Sequence, residues 1–426
     1  MSTWTVDQVL ALAPDDASVS AGKELASASK WVLVGVSNVA VWGEAKGSGT
    51  RPYQTAIDLR EVAYKCSCPS RKFPCKHTLG LLLRHARDEV SQAETPEWVS
   101  DWLTKRAEPK GRDKAAGATD PKAAAKRTEK RWANIIAGIG ECEAFLADAV
   151  SQGLTSMHSA RSWNQMAARM VDAQAPGIAR KLHKIAATIG VGSDWGIRAA
   201  SEMGRITLVM EAARNIEGLD PGLASDTKAV LGIPMREDDL SEDEAVIDVW
   251  AVLGQTVEEE DRLTVYRSWV AGLGTGRWAM HLAFSVAGQA PSLRLLPGFA
   301  FAALAKFYPS AWPLRAAFQE VAPCQLGRPK GADWTEAQER LCDALSKNPW
   351  IEYVPVLLSD ALLARLGERW YALDRNGAAF PLIARGDGCW KALALSGGSP
   401  CDLFGEWNGG ELRLLSAVGE WGFASL

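Results

Sequence analysis

Twelve residues, Cys66-Ser67-Cys68-Pro69-Ser70-Arg71-Lys72-Phe73-Pro74-Cys75-Lys76-His77, constrain this chain more than any other stretch. They read Cys-x-Cys, six residues, Cys-x-His. Three thiols and an imidazole this close in sequence are a tetrahedral zinc site before they are anything else. Alternate residues of a strand face the same way, so Cys66 and Cys68 present both sulfurs to one point from a strand end. Pro69 ends that strand, and Pro74 fixes φ just before Cys75. Cys75 and His77 fall at the start of a helix, where the dipole favours thiolate over thiol. A strand pair, a loop and a helix on one metal make a small ββα-type unit. Cys66, Cys68, Cys75 and His77 use all four positions, so none stays open for water, and the spacing predicts a structural zinc rather than a zinc enzyme. A redox dithiol is the competing reading of Cys-x-Cys, but it has no use for His77. His85 is not a further ligand: eight residues of helix separate it from His77 by about 12 Å.

Lys65, Arg71, Lys72 and Lys76 surround the cluster, and no acid lies between 62 and 87. Three thiolates and a neutral imidazole on a dication carry a formal charge of about −1. In one reading the four cations neutralise the cluster. In the other they form an electropositive lip for phosphate or an acidic partner. The 426-residue chain as a whole carries a net charge of −4, so it is no general polyanion binder and nucleic-acid contact needs such a local patch.

Five of the eight cysteines, at 142, 324, 342, 389 and 401, are scattered singly, as buried thiols are in a reducing compartment. No apolar run approaches the roughly 20 residues needed to span a bilayer, and the N-terminus lacks a basic n-region. The expectation is a cytoplasmic protein with no membrane partner.

The organisation reads as multi-domain α+β. Residues 1–104 form an N-terminal domain whose zinc-binding core spans 31–90, with strands before Cys66 and a leucine-rich helix after His77. Residues 105–127 are a basic, Ala-rich linker without large apolar residues, too polar to offset the entropy of ordering. Residues 128–232 keep 3–4 apolar spacing over several helices and predict a central helical bundle. Residues 245–426 predict a β-rich α+β region. Three β-like runs, 246–257, 263–271 and 277–286, are joined by Glu258-Glu259-Glu260-Asp261 and Gly272-Leu273-Gly274-Thr275-Gly276. Residues 298–320 are ambiguous, and 334–347 reads as an amphipathic helix. Over 369–416, five short strands around Asn376-Gly377, Gly397-Gly398 and Asn408-Gly409 predict an antiparallel meander or open barrel, because primed hairpin turns need positive φ. Trp390–Leu395 counts as one of these strands.

The Cys-x-Cys…Cys-x-His pattern resembles the SWIM zinc finger. Its surroundings agree: Gly47-Ser48-Gly49, Pro52-Tyr53, the Asp58-Leu59 strand, Cys66-Ser67-Cys68-Pro69, then Cys75-Lys76-His77 and the leucine-rich helix. The longer layout, with Trp98 and Trp102, is similar to that of bacterial SWIM-finger proteins. The resemblance implies that Cys66, Cys68, Cys75 and His77 hold zinc in a DNA-binding or protein-interaction module. It also implies protein partners of the MoxR-type AAA ATPase or von Willebrand class, by association only.

No Gly-x-x-x-x-Gly-Lys-Ser/Thr, Gly-x-Ser-x-Gly or His-Glu-x-x-His is present. The Gly272–Gly276 stretch reads as a hairpin turn rather than a phosphate loop. His158 reads as solvated, His183 and His281 as structural. The expectation is a non-catalytic adaptor that binds protein partners; the alternative is a DNA-binding protein using Lys65, Arg71, Lys72 and Lys76.

Overall fold

The computed structural model describes residues 6–13, 16–47, 51–59, 63–70, 74–107, 121–153, 159–260, 263–286, 293 and 295–426. Two short helices, α1 (Val6–Ala11) and α2 (Asp16–Leu25), precede a four-stranded antiparallel sheet of β1 (Trp31–Val36), β2 (Ala40–Ala45), β3 (Tyr53–Asp58) and β4 (Ala63–Cys66). Helix α3 (Lys76–Ala86) buries Leu79, Leu81, Leu82 and Leu83, so it is apolar nearly all round. Such a helix needs cover on every side. It has α1 and α2 on one side and the sheet on the other. Helix α4 (Glu97–Ala107) covers the opposite sheet face, with Trp98 and Trp102 packed against Ala40, Trp42 and Ala56.

The predicted linker is shorter than its composition suggests. Helix α4 runs to Ala107, and the next helix, α5 (Pro121–Gln152), begins with proline at its first turn, where a missing N–H costs nothing. Residues 108–120 lie outside the described residues. Helix α5 joins α6 (Ala160–Asp172), α7 (Pro176–Thr188), α8 (Trp195–Arg214) and α9 (Pro221–Leu231) around Ile139, Trp163, Met170, Leu182 and Ile206.

The C-terminal region is two five-stranded units of one topology. The first has β5 (Val246–Glu260), β6 (Leu263–Gly272), β7 (Trp278–Val286), β8 (Ala300–Phe307) and β9 (Ala316–Cys324), in the order β7-β6-β5-β8-β9. A parallel bridge, Met280 to Arg315, draws its two edges together. Helix α10 (Trp334–Lys347), closed at its N-terminus by a capping box of Asp333 and Glu336, leads into the second unit. That unit has β10 (Val354–Leu366), β11 (Arg369–Leu373), β12 (Ala379–Ile383), helix α11 (Gly388–Ser396), β13 (Cys401–Trp407) and β14 (Leu412–Gly419). Its order is β12-β11-β10-β13-β14, with parallel β12–β14 pairing at Leu382 to Leu412. Strand β15 (Gly422–Ser425) adds an edge to β14. In each unit the fourth strand returns beside the first, as in a Greek key, and a parallel contact of third and fifth strands closes the ring. Both are five-stranded, partly open Greek-key barrels, the architecture class of the OB-fold.

Three details differ from the sequence reading. Residues 390–395 lie in helix α11, not in a strand: Gly397, at φ 59°, is the left-handed cap of that helix. The strands are therefore not in meander order, since β13 returns to pair with β10. Glu258, Glu259 and Glu260 belong to β5 and continue its ladder with β6, because the ladder is made by backbone groups and needs no apolar side chain.

The units are docked. Leu296 and Phe299, between β7 and β8, pack into the N-terminal core beside α3. The helical bundle meets the second barrel's approach through Trp350, whose Nε1 donates to Thr227 Oγ1, and through Lys181, 3.2 Å from Glu352. The Asp226 carboxylate accepts from the Ala311 backbone at 2.8 Å.

Candidate metal centre

The centre is built where β4 ends and α3 begins. Cys66 is the last residue of β4 and pairs with Thr55, and the ladder continues one step as Ser67 donates its N–H to Gln54 O at 2.9 Å. That extension carries Cys68 to the same side as Cys66. Cys75 is the N-cap of α3 and His77 lies in its first turn. The ligand atoms of Cys66, Cys68, Cys75 and His77 all fall within 4.8 Å of one another. His77 Nδ1 is 3.8 Å from Cys66 Sγ. A tetrahedral ion with Zn–S bonds of about 2.3 Å sets its ligands at this kind of separation. Cys75 and His77 are buried, whereas Cys66 and Cys68 are partly exposed, so the centre sits at the surface of the domain.

Neighbours orient the donors. Thr55 Oγ1 lies 3.2 Å from Cys66 Sγ, and Thr78 Oγ1 lies 3.4 Å from Cys75 Sγ. The Tyr53 ring leans on the His77 imidazole with centroids 5.0 Å apart. Among themselves the three thiols do not ionise together. A hydrogen bond from Cys66 pulls Cys75 down to about 3. The same bond, with burial, pushes Cys66 up, and burial raises Cys68. One thiolate thus suppresses the next two, and only a cation holds all three ionised. The donor set therefore fits a metal ion: three soft sulfurs and one imidazole in a closed tetrahedron suit zinc.

Of the four cations near the cluster in sequence, Lys65 and Lys76 are exposed, Lys76 beside it and Lys65 on the opposite face of β4 from Cys66, while Arg71 and Lys72 lie outside the described residues. Other candidates stay away. The Gly272–Gly276 stretch is the β6–β7 turn, and the Asp248 carboxylate fills it, accepting from Gly274 N, Thr275 N and Thr275 Oγ1 at 2.9, 2.8 and 2.7 Å. A phosphate would meet that charge. His281 is buried in β7 with Nδ1 3.3 Å from Ala316 O, and His183 pairs with Asn164 Oδ1 at 2.8 Å. His158 is outside the described residues. Sequence reasoning missed Thr55 and Thr78 and gave Tyr53 no role of its own, since only strand register and helix packing bring them to the ligands.

Comparisons with known families agree with this geometry. The family model of the SWIM zinc finger matches residues 39–86, and that of the SWIM-associated four-helix bundle domain matches residues 130–231. No curated protein and no solved structure matches the chain. Among the described residues, no helix is long and apolar enough to cross a membrane. With the finger's ligand cluster assembled and its associated bundle in place, the chain is a SWIM zinc finger domain-containing protein.

Proposed function

We propose that this chain is a non-catalytic interaction adaptor whose finger is shaped by a structural zinc ion. The closed set of Cys66, Cys68, Cys75 and His77 carries the reading, because four protein ligands leave no position for a substrate or an activated water. When bound, zinc supplies a cross-link between β4 and α3 and fixes the surface around Cys66 and Cys68. The chain's own residues do the rest: Thr55, Thr78 and Tyr53 orient the donors, Lys76 presents charge beside them, and Lys65 presents it on the other face of β4. Protein partners fit this role, and the family resemblance suggests a MoxR-type AAA ATPase or a von Willebrand-type protein. None of the eight cysteines is in a disulfide, which suits the cytoplasm as its compartment.

The second reading, DNA binding, draws on the exposed Lys65 and Lys76. A pull-down and a salt-titrated DNA shift assay, each with the wild-type chain, Cys75→Ser and a Lys65→Ala/Lys76→Ala variant, separate the two. The adaptor reading expects a protein retained by the wild type and released by Cys75→Ser, with no DNA shift at low salt. A steeply salt-dependent shift that the double variant loses makes the DNA reading the correct one. Retention of the same proteins by Cys75→Ser sinks the finger's role.

A further inference from the structure

The two barrels meet through one contact, and among the described residues counterparts of its two halves recur elsewhere with apolar side chains left exposed. The first barrel offers a front, the outer face of β5–β7, with Ala251, Leu253, Trp269, Ala271 and Trp278. The second offers a back, the outer face of β10, β13 and β14, with Leu357, Phe404 and Leu415. Trp278 stacks on Phe404 with centroids 5.6 Å apart and planes 10° from parallel. Glu406, wholly buried on that back, accepts from Trp269 Nε1 at 2.8 Å and from Arg267 at 3.3 Å.

Register maps one barrel onto the other. The last pair before the β6–β7 turn is Ala271 with Trp278, and before the β11–β12 turn it is Leu373 with Ala379. Arg267, Trp269 and Ala271 therefore correspond to Arg369, Tyr371 and Leu373. Ala251 pairs with Ala271 as Leu362 pairs with Leu373, so Leu362 takes the place of Ala251. Leu357 lies five residues before Leu362 and Ile247 four before Ala251, the difference being the extra residue of the β10 bulge between Leu358 and Ala361. The pair Leu357 and Phe404 thus has Ile247 and Leu304 as its counterpart.

Both counterparts face outward. On the second barrel's front, Leu362 is 39% and Leu366 77% exposed, beside Tyr371 and Arg369. On the first barrel's back, Ile247 is 80% exposed next to Leu304. Lys306 takes the position of Glu406, but its ammonium carries the exposed Glu242 at 2.6 Å, so a carboxylate again stands there for an arginine. We propose that the second barrel's front docks on the first barrel's back of another copy, repeating between chains the contact that joins the barrels within one. The interface is heterologous, so copies add head to tail.

Sedimentation of the full-length zinc-loaded chain across concentration tests this. The weight-average mass is expected to rise above the monomer, and Ile247→Asp or Leu362→Asp to hold it at the monomer. Leu366→Asp, at a more exposed position, serves if Leu362→Asp alters the circular dichroism. Mixing a back variant with a front variant is expected to restore a two-chain species and nothing larger, since each keeps one intact half. A monomer at every concentration overturns the proposal, as does an association that survives either substitution. A front that takes up single-stranded oligonucleotide or another protein while the chain stays monomeric overturns it too.

Discussion

The two C-terminal barrels share strand order and ladder register but solve one problem differently. Each leaves a gap between its third and fourth strands. The second barrel fills it with its own α11, which lends Cys389 and Ala392 to the barrel core. The first carries a segment there whose Leu293 and Leu295 join the barrel core, while Leu296 and Phe299 turn into the finger domain. Both barrels thus fill that end themselves, but the first also shares apolar cover with the finger domain. Identical topology does not confer identical independence; what the plugging segment touches on its far side decides it.

Zinc removal probes that difference most strongly. Structural zinc contributes roughly 10–16 kcal/mol of apparent binding energy to a small finger. Cys75→Ser is expected to lose the ion and to unfold β1–β4 and α3. Hydrogen exchange then rises around Leu296 and Phe299, while β10–β14 keep their protection. Equal loss in both barrels would show that they form one cooperative unit. Metal analysis with full occupancy in Cys75→Ser would remove Cys75 from the ligand set.

Next in size is the contact between the barrels. Glu406→Gln withdraws the charge that Arg267, Arg413 and the Trp269 indole share. Breaking such a pair costs about 2–4 kcal/mol here, below the fully buried range because both guanidinium groups reach solvent. Chemical denaturation should show it, and in a chain whose barrels already move independently only the share owed to Arg413, within the second barrel, should remain.

Two glycines sharpen the contrast further. A Cβ at Gly254 would sit 2.7 Å from the Phe404 ring and 2.9 Å from Leu415, so Gly254→Ala overpacks the barrel contact by about 1–3 kcal/mol. Nothing crowds Gly397; its φ of 59° makes Gly397→Ala cost about 1 kcal/mol through the backbone alone. Phe404→Leu should relieve the first substitution. Asn, which tolerates positive φ, should be milder than Ala at the second. Thermal melts that rank the two glycines the other way would mean that the barrels are less tightly apposed than the rings indicate.

The smallest effect is one of pH. Burial holds the His281 imidazole, 7% exposed, below the ordinary histidine value of about 6.5. Its folded pKa is depressed, so its contribution is present above that ordinary value and fades as pH falls through the folded one. The second barrel has no histidine. Acid should therefore loosen the first barrel before the second, and His281→Phe should flatten that limb of the stability profile. An unchanged acid limb in that variant would assign the loss to carboxylates.

Much of this was legible residue by residue. The ligand spacing of 66–77, the leucines of α3, the apolar periodicity of the bundle and the Asn376-Gly377 and Asn408-Gly409 turns are local signals, and each lies where its pattern implies. Gly397-Gly398 was not separable by the same means. A helix cap and a hairpin turn both ask for positive φ, so the dipeptide alone does not say which element precedes it. The duplication of the barrels was equally hidden: Ile247 matches Leu357 and Ala251 matches Leu362 only through ladder register, with no shared residue pattern at a fixed period.

By itself, then, the sequence determined the donor set of the candidate metal centre, because coordination needs donors of a given type within a few residues and a strand end followed by a helix start supplies them. Tertiary structure decided how the parts depend on each other. Whether Leu296 seals a finger, whether Phe404 is covered, and whether Leu362 and Ile247 are left bare all depend on contacts between residues far apart in the chain. Apolar burial is non-directional, so a hydrophobic residue asks to be covered but does not name what covers it.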